Sequence, residues 1–390
     1  MGRRAAGLIA LAVVVVATGA TLALVASSWR YHDLWCFYHG GEAVLRGVDP
    51  YDPSTWLALT DDPTRFAPTR IVKAPCPGAF GYPYWSALAF APLALVPYDI
   101  AAGAWGALLI AGVIGGIALA ARATGAPPPL VTVFTLGSLP LLQVLVFGQL
   151  TGMLLPFVGL SLLPPAVRAG ASVGLLALKP QLVAIFGTAL TAKALRCGDL
   201  RFVAGVVGSV GVLVVASLAV LPSWPLEWAR EILTNRVEIA RPMPTAWGLS
   251  LLLFGDAAWG AAQVALLVGL VLFVARGREV DGVAFGAIVL AISLFAAPYV
   301  GGYDQLFLVV PWAVVLAAAA RSAPRRRRVL LGAMLAVAIL GPWALVVSRG
   351  GSDTLNAFVP AITALLVTVV QPRRALAAEA RTPATPPLPV

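Results

Sequence analysis

Apolar stretches close to the length of a membrane span recur along almost the whole chain, separated by short runs that carry arginine. A hydrocarbon layer takes roughly 20 apolar residues per helical crossing. Within it, every backbone polar group must be bonded internally. These two constraints restrict the chain to an all-α fold, a polytopic transmembrane helical bundle. Composition agrees: 60% of the 390 residues are hydrophobic and 11% are charged, against about 25% charged in a soluble domain. The formal charge of +10 is spread in short runs between apolar segments. That is a topology signal, not a nucleic-acid surface.

Candidate spans are 7–28, 100–121, 130–147, 149–164, 202–221, 257–275, 280–297, 306–320, 329–347 and 354–370. The first follows Arg3-Arg4 and precedes further spans, so it reads as an uncleaved helix and not as a signal peptide. Two stretches do not fit a simple crossing. Residues 84–97 are apolar but short and proline-bounded, and residues 170–192 are interrupted by Lys179-Pro180. Broken segments survive at membrane depth only where protein or a watery cavity covers the backbone, so both are expected to line a site. About ten to thirteen membrane segments result.

Putting Arg3, Arg4, Arg122, Arg168, Lys193, Arg196, Arg201, Arg276, Arg278, Arg321, Arg325–Arg328, Arg373, Arg374 and Arg381 inside leaves 17 basic residues on that side and 9 on the other. The positive-inside rule then fixes the orientation. Residues 1–372 form one transmembrane domain, with a first outer loop at 29–83 and a second at 222–256. Residues 373–390 form a proline-rich, disordered cytoplasmic tail. Cys36 and Cys76 share the first outer loop, where an oxidising compartment would let them pair; two free thiols are the alternative.

The first outer loop concentrates the chemistry. It holds Asp33, just after the first span, and both histidines of the chain, His32 and His39. A carboxylate fixed at the membrane surface suits a general base; the plain alternative is a helix end in headgroup water. His32 and His39 with Glu42 do not match a standard zinc spacing, and no metal is assigned. Tyr31, Trp35 and Tyr38 suit an interfacial aromatic belt or a sugar-stacking wall. Asp49 and Asp52 sit in a turn, Gly47-Val48-Asp49-Pro50-Tyr51-Asp52-Pro53, where carboxylates cap backbone N–H groups. Lys179 is a cation inside an apolar stretch, either functional or snorkelling to an interface. The second outer loop offers Arg236, Glu238 and Arg241 on a short amphipathic helix. No phosphate-binding glycine loop appears at a strand–helix junction, so a nucleotide-sugar donor has no support.

Five features in order carry a resemblance: the Asp33 segment closing on Gly47-Val48-Asp49-Pro50-Tyr51, Tyr82-Pro83 before a short helix, Gly148-Gln149, Leu178-Lys179-Pro180, and Pro298 followed by Tyr303-Asp304. Together, over about residues 29–310, they resemble glycosyltransferase family 87. That family often reads Tyr-Pro-Pro and Gly-Gln-x-Asn; here Tyr84 and Gly152 stand at the last positions. Its late motif often carries Ser, Trp or His; here the run is Tyr299-Val300-Gly301-Gly302-Tyr303-Asp304.

The resemblance implies a membrane-embedded enzyme of the GT-C type, a hexosyltransferase of the EC 2.4.1 kind. It would sit in the cell membrane with its site on the extracytoplasmic face. The donor would be a polyprenyl-phosphate sugar, mannose first and arabinofuranose second. The acceptor would be a hydroxyl of a glycolipid or polysaccharide. No cofactor and no nucleic-acid partner are implied; membrane lipids are. Asp33 would be the base. Lys179, Arg30, Arg236 and Arg241 are the available donors to the leaving phosphate. His32, Tyr38, His39, Glu42, Tyr51, Gln149, Tyr303 and Asp304 complete the expected substrate site. The rival class is a transporter or lipid flippase, which would also use broken helices and an intramembrane lysine. Against it stand the long outer loop and the lack of a two-half repeat.

Overall fold

A computed structural model describes residues 33–60, 76, 78–234, 243–255, 269, 281–348 and 354–370. The described residues contain helices and turns and no strand. In chain order the helices are α1 (Asp33–Arg46), α2 (Pro53–Thr60), α3 (Tyr84–Phe90), α4 (Tyr98–Thr124), α5 (Pro128–Leu136), α6 (Leu139–Phe147), α7 (Thr151–Leu160), α8 (Ala166–Leu175), α9 (Thr188–Arg196), α10 (Leu200–Val220), α11 (Trp224–Thr234), α12 (Ala246–Phe254), α13 (Gly282–Ala296), α14 (Val309–Ala320), α15 (Pro324–Leu335), α16 (Gly341–Ser348) and α17 (Phe358–Val370).

The chain shuttles between two ends of one bundle. Glycine and aspartate mark the reversals: Gly125 and Gly148 end α4 and α6 in the left-handed region (φ 69° and 64°). Only glycine adopts that conformation without steric cost. Asp199 and Asp281 cap α10 and α13 by accepting from the Phe202 and Val283 amides, which satisfies first-turn N–H groups. One end carries Arg122, Arg168, Lys193, Arg196, Arg201, Arg321 and Arg325–Arg328. The opposite end carries α1–α3, the Gly148-Gln149 turn, α11 and the Tyr303-Asp304 turn.

Among the described residues, four helices are long and apolar enough to cross a membrane by themselves: Tyr98–Thr124, Leu200–Val220, Gly302–Ala320 and Pro324–Ser348. α10 exposes Val207, Val212 and Val215, an apolar face that needs lipid or another apolar cover. The span expected over 130–147 differs: α5 and α6 meet at a 63° bend. The break at Gly137-Ser138, followed by Pro140 in the first turn of α6, explains it, because proline cannot continue the preceding helix. The span expected over 149–164 is the shorter α7, and that expected over 280–297 is α13, at 15 residues. The expected spans at 7–28 and 257–275 and the tail lie outside the described residues, apart from Gly269.

Small residues bring the helices close, as in other membrane bundles. A methyl group on Gly112 of α4 would fall 2.5 Å from the Gly152 carbonyl oxygen of α7. One on Gly170 of α8 would fall 1.9 Å from the Phe202 carbonyl oxygen of α10, and one on Gly174 would fall 1.8 Å from Ser209 Oγ.

The interrupted segment is a hairpin. α8 leads to a 3-10 turn at Leu176–Leu178, the chain breaks at Lys179, and Pro180 starts the return through a π-helical turn to α9. The beginning of α8 and the end of α9 line one cavity at the basic end, through Ala166, Ala169, Lys193 and Ala194. Lys179 therefore sits at the hairpin tip, toward the polar loops.

The candidate active site

Asp33 is the first residue of α1, so where it points depends on how α1 is held. Phe37 stacks on Phe90 of α3 at 4.6 Å. Gly41 lets α1 approach the Phe90 carbonyl oxygen, from which an added methyl would be only 2.5 Å away. Trp35 Nε1 donates to the Thr60 carbonyl at 3.1 Å. Cys36 and Cys76 form a disulfide, which settles the choice between a bridge and free thiols. Trp56 Nε1 donates to the Cys76 carbonyl at 3.1 Å. The described residues of this loop, 33–60, Cys76 and 78–83, thus form a folded cap with its own aromatic core.

Opposite Asp33 stands the Gly148-Gln149 turn. Trp105 Nε1 donates to the Gly148 carbonyl at 2.8 Å, and the Gln149 amide donates to the Val144 carbonyl at 3.0 Å. Gln149 is fully buried and its Nε2 donates to Asp33 Oδ2. Burial pushes the Asp33 carboxyl up to about 6, against the lowering influence of the Gln149 bond and of Lys179, with Asp304 adding to the rise. Loss of water around a carboxylate disfavours its charged form.

Beneath this pair lies a buried ion pair. Lys179 and Asp304 are both fully buried and bonded through Nζ and Oδ1. Thr151 Oγ1 accepts from Lys179 Nζ at 2.9 Å and donates to Asp304 Oδ1 at 2.5 Å. The Gly301 amide donates to Asp304 Oδ2 at 3.2 Å, and the ammonium lies 4.6 Å from the Tyr303 ring centroid. The cation inside the apolar stretch is thus compensated by Asp304 and does not snorkel to an interface. The hairpin tip frees backbone carbonyls, and α3 satisfies them. Trp85 Nε1 donates to Ala177 O at 2.9 Å and Ser86 Oγ to Leu178 O at 3.0 Å. That explains why a short helix follows Tyr82-Pro83: its first turn closes the backbone of the break.

The other expected residues divide. Tyr303 and Asp304 join the cluster; Tyr38, His39, Glu42 and Tyr51 make scaffold contacts. Tyr38 OH donates to Val96 O at 2.9 Å. His39 Nδ1 lies 2.5 Å from Glu42 Oε2, and Glu42 also holds Arg46. Tyr51 OH donates to Tyr82 O at 2.6 Å. Asp49 and Asp52 accept from the Tyr51 and Thr55 amides, as their turn predicts. No group of three metal-ligating side chains occurs among the described residues. His32, Arg30, Arg236 and Arg241 lie outside the described residues.

Two members of the cluster were not among the expected site residues. Thr151 follows Gln149 by two residues and bridges the ion pair. Tyr82 is half-buried, and burial, followed by the charges of Asp33 and Asp304, raises its phenol well above the usual value against the lowering influence of a Gln149 side-chain bond. Its hydroxyl stays protonated and can donate. The Tyr82-Pro83 dipeptide was the signal for the second; nothing local marked the first.

A multi-pass helical bundle with a carboxylate, an amide, a phenol and an ion pair gathered under a folded cap defines an integral membrane protein with one polar site at a bundle end. The family model of glycosyltransferase family 87 matches residues 80–300, more than half of the chain, and the protein belongs to that family: it is a membrane glycosyltransferase. No curated protein and no solved structure matches it significantly.

Proposed function

We propose that the enzyme transfers a sugar, mannose in the first instance, from a polyprenyl-phosphate donor to a hydroxyl of a glycolipid or glycan on the extracytoplasmic face of the cell membrane. Asp33 is the general base. The observation that carries this reading is the Asp33 carboxyl itself: partly exposed, fixed by Gln149, and shifted to about 6. A base of that strength is charged at neutral pH and still able to take a proton.

Displacement at the anomeric carbon forms a bond from the acceptor oxygen as the bond to phosphate breaks. Asp33 takes the hydroxyl proton, and the polyprenyl phosphate leaves as an anion. Leaving charge needs fixed donors. Tyr82 supplies a protonated hydroxyl near Asp33. Arg30, Arg236 and Arg241 belong to the same two loops by sequence and supply cations. Lys179, sealed and paired with Asp304, holds the floor of the site.

The test uses purified enzyme in proteoliposomes with radiolabelled polyprenyl-phosphate mannose and a lipid extract as acceptor source. Label should pass to a new glycolipid without any nucleotide sugar, and Asp33→Asn should stop it with normal insertion. Transfer from GDP- or UDP-sugar in vesicles free of polyprenyl phosphate would overturn the donor. Transfer by Asp33→Asn within about threefold of wild type would overturn the base, since a general base is worth roughly 10²–10⁴ in rate.

A further inference from the structure

Gln149 is placed as no packing residue needs to be. Its backbone is locked on both sides, by the Trp105 indole on the Gly148 carbonyl and by its own amide on Val144. Its side chain is fully buried, and Nε2 donates to the Asp33 carboxylate. Its Oε1 has no hydrogen-bond partner among the described residues. A buried acceptor left unbonded costs stability, and native structures keep few of them. An apolar side chain of the same shape would avoid that cost, so the amide is retained for what Nε2 does.

We infer that Gln149 is the positioning residue of the base: its amide holds one oxygen of Asp33 and leaves the other turned to the acceptor hydroxyl. The inference rests on Asp33 being the base. A carboxylate at the start of a helix rotates about its side-chain bonds unless one oxygen is tied. Once it is tied, the free oxygen has a fixed direction, and reacting groups must be held within a fraction of an ångström of their productive geometry. Two charged groups face Asp33, Lys179 at the hairpin tip and Asp304 on the Tyr303 turn, together with the neutral donor Gln149 and the protonated Tyr82. Lys179 and Asp304 are paired with each other and act on Asp33 in opposite directions. Gln149 is the partner that bonds it directly.

The decisive variant is Gln149→Met, which keeps the volume and removes both the bond and the orphaned oxygen. It should insert and melt no lower than wild type. Its kcat should fall about tenfold to a hundredfold, a part of what a base contributes. The acid limb of kcat/KM should move to higher pH, because the bond it lacks favours the charged carboxylate. The Asp33 carboxyl should titrate at higher pH in infrared difference spectra, with Asp33→Asn as the blank. That last readout needs no turnover. If wild type transfers no sugar at all, the proposed activity fails while the infrared shift still decides the role of Gln149. An unchanged Asp33 titration overturns the inference, as does a raised acceptor KM with kcat and the acid limb unmoved, which would make Gln149 a substrate contact. Should Gln149→Met fail to insert, Gln149→Asn, with the amide on a shorter arm, takes the same measurements.

Discussion

At the scale of single residues, Asp33 is where stability and activity oppose each other. Folding raises its carboxyl from 3.8 to about 6, so the folded state favours the protonated form. That contribution to stability is present below the unfolded value and is lost as pH rises through the window from 3.8 to about 6. Activity has the opposite sign, because the base must be ionised. kcat/KM should therefore climb with pH up to about 6 and level off above it, on the acid side of the profile. Asp33→Asn should melt higher than wild type at pH 7.5 while transferring nothing. Thermal melts of the two proteins at pH 4 and pH 7.5 check this: the gap should open at the higher pH. An equal gap at both, or none, would mean that burial does not disfavour the charged Asp33 carboxylate.

At the scale of elements, the hairpin with Lys179 at its tip and the Tyr303-Asp304 turn are joined by one buried ion pair. Removing one partner of such a pair leaves an uncompensated charge and costs about 3–5 kcal/mol, whereas replacing both by apolar residues is often neutral. Lys179→Met should lower the melting temperature steeply, and the double variant Lys179→Met with Asp304→Leu should recover it. Because the pair is sealed, the double variant should keep a donor KM close to wild type. A donor KM raised about tenfold in the double variant would instead make Lys179 the phosphate ligand that sequence alone suggested. The break itself was legible, since Lys-Pro inside an apolar run interrupts a helix wherever it falls. Its partner was not: 125 residues separate Lys179 from Asp304, and 116 separate Gln149 from Asp33. Periodicity and propensity are local, and these bonds exist only once α7, the hairpin and the Tyr303 turn are packed. The bend between α5 and α6 was missed for another reason. Hydropathy runs unbroken across 130–147, and only Ser138-Leu139-Pro140 marks the corner. The cap fared similarly: Asp33, Tyr51 and the cysteine pair were visible, while the use of Tyr38, His39 and Glu42 as scaffold depends on Val96, Tyr98 and Arg46 as neighbours.

At the scale of the whole molecule, the donor available to the site depends on which end faces the cytoplasm. Nine of the eleven arginines among the described residues lie at the end opposite the Asp33 site, all but Arg46 and Arg230, and the bias of Lys and Arg toward cytoplasmic loops sets membrane orientation. The disulfide between Cys36 and Cys76 lies at the site end and belongs in an oxidising compartment. These are independent signals, one from charge and one from redox chemistry, and they agree. The single thiol left, Cys197, is exposed at the basic end. An impermeant maleimide added to intact cells should therefore leave the wild-type protein unlabelled, and should label it at Cys197 once the membrane is permeabilised. Introducing Leu57→Cys on the exposed face of α2 should give labelling in intact cells. Labelling of Cys197 from outside, with Leu57→Cys protected, would invert the topology. It would put the site in the reducing compartment, where nucleotide sugars are the available donors, and the lipid-linked donor would have to be abandoned with it.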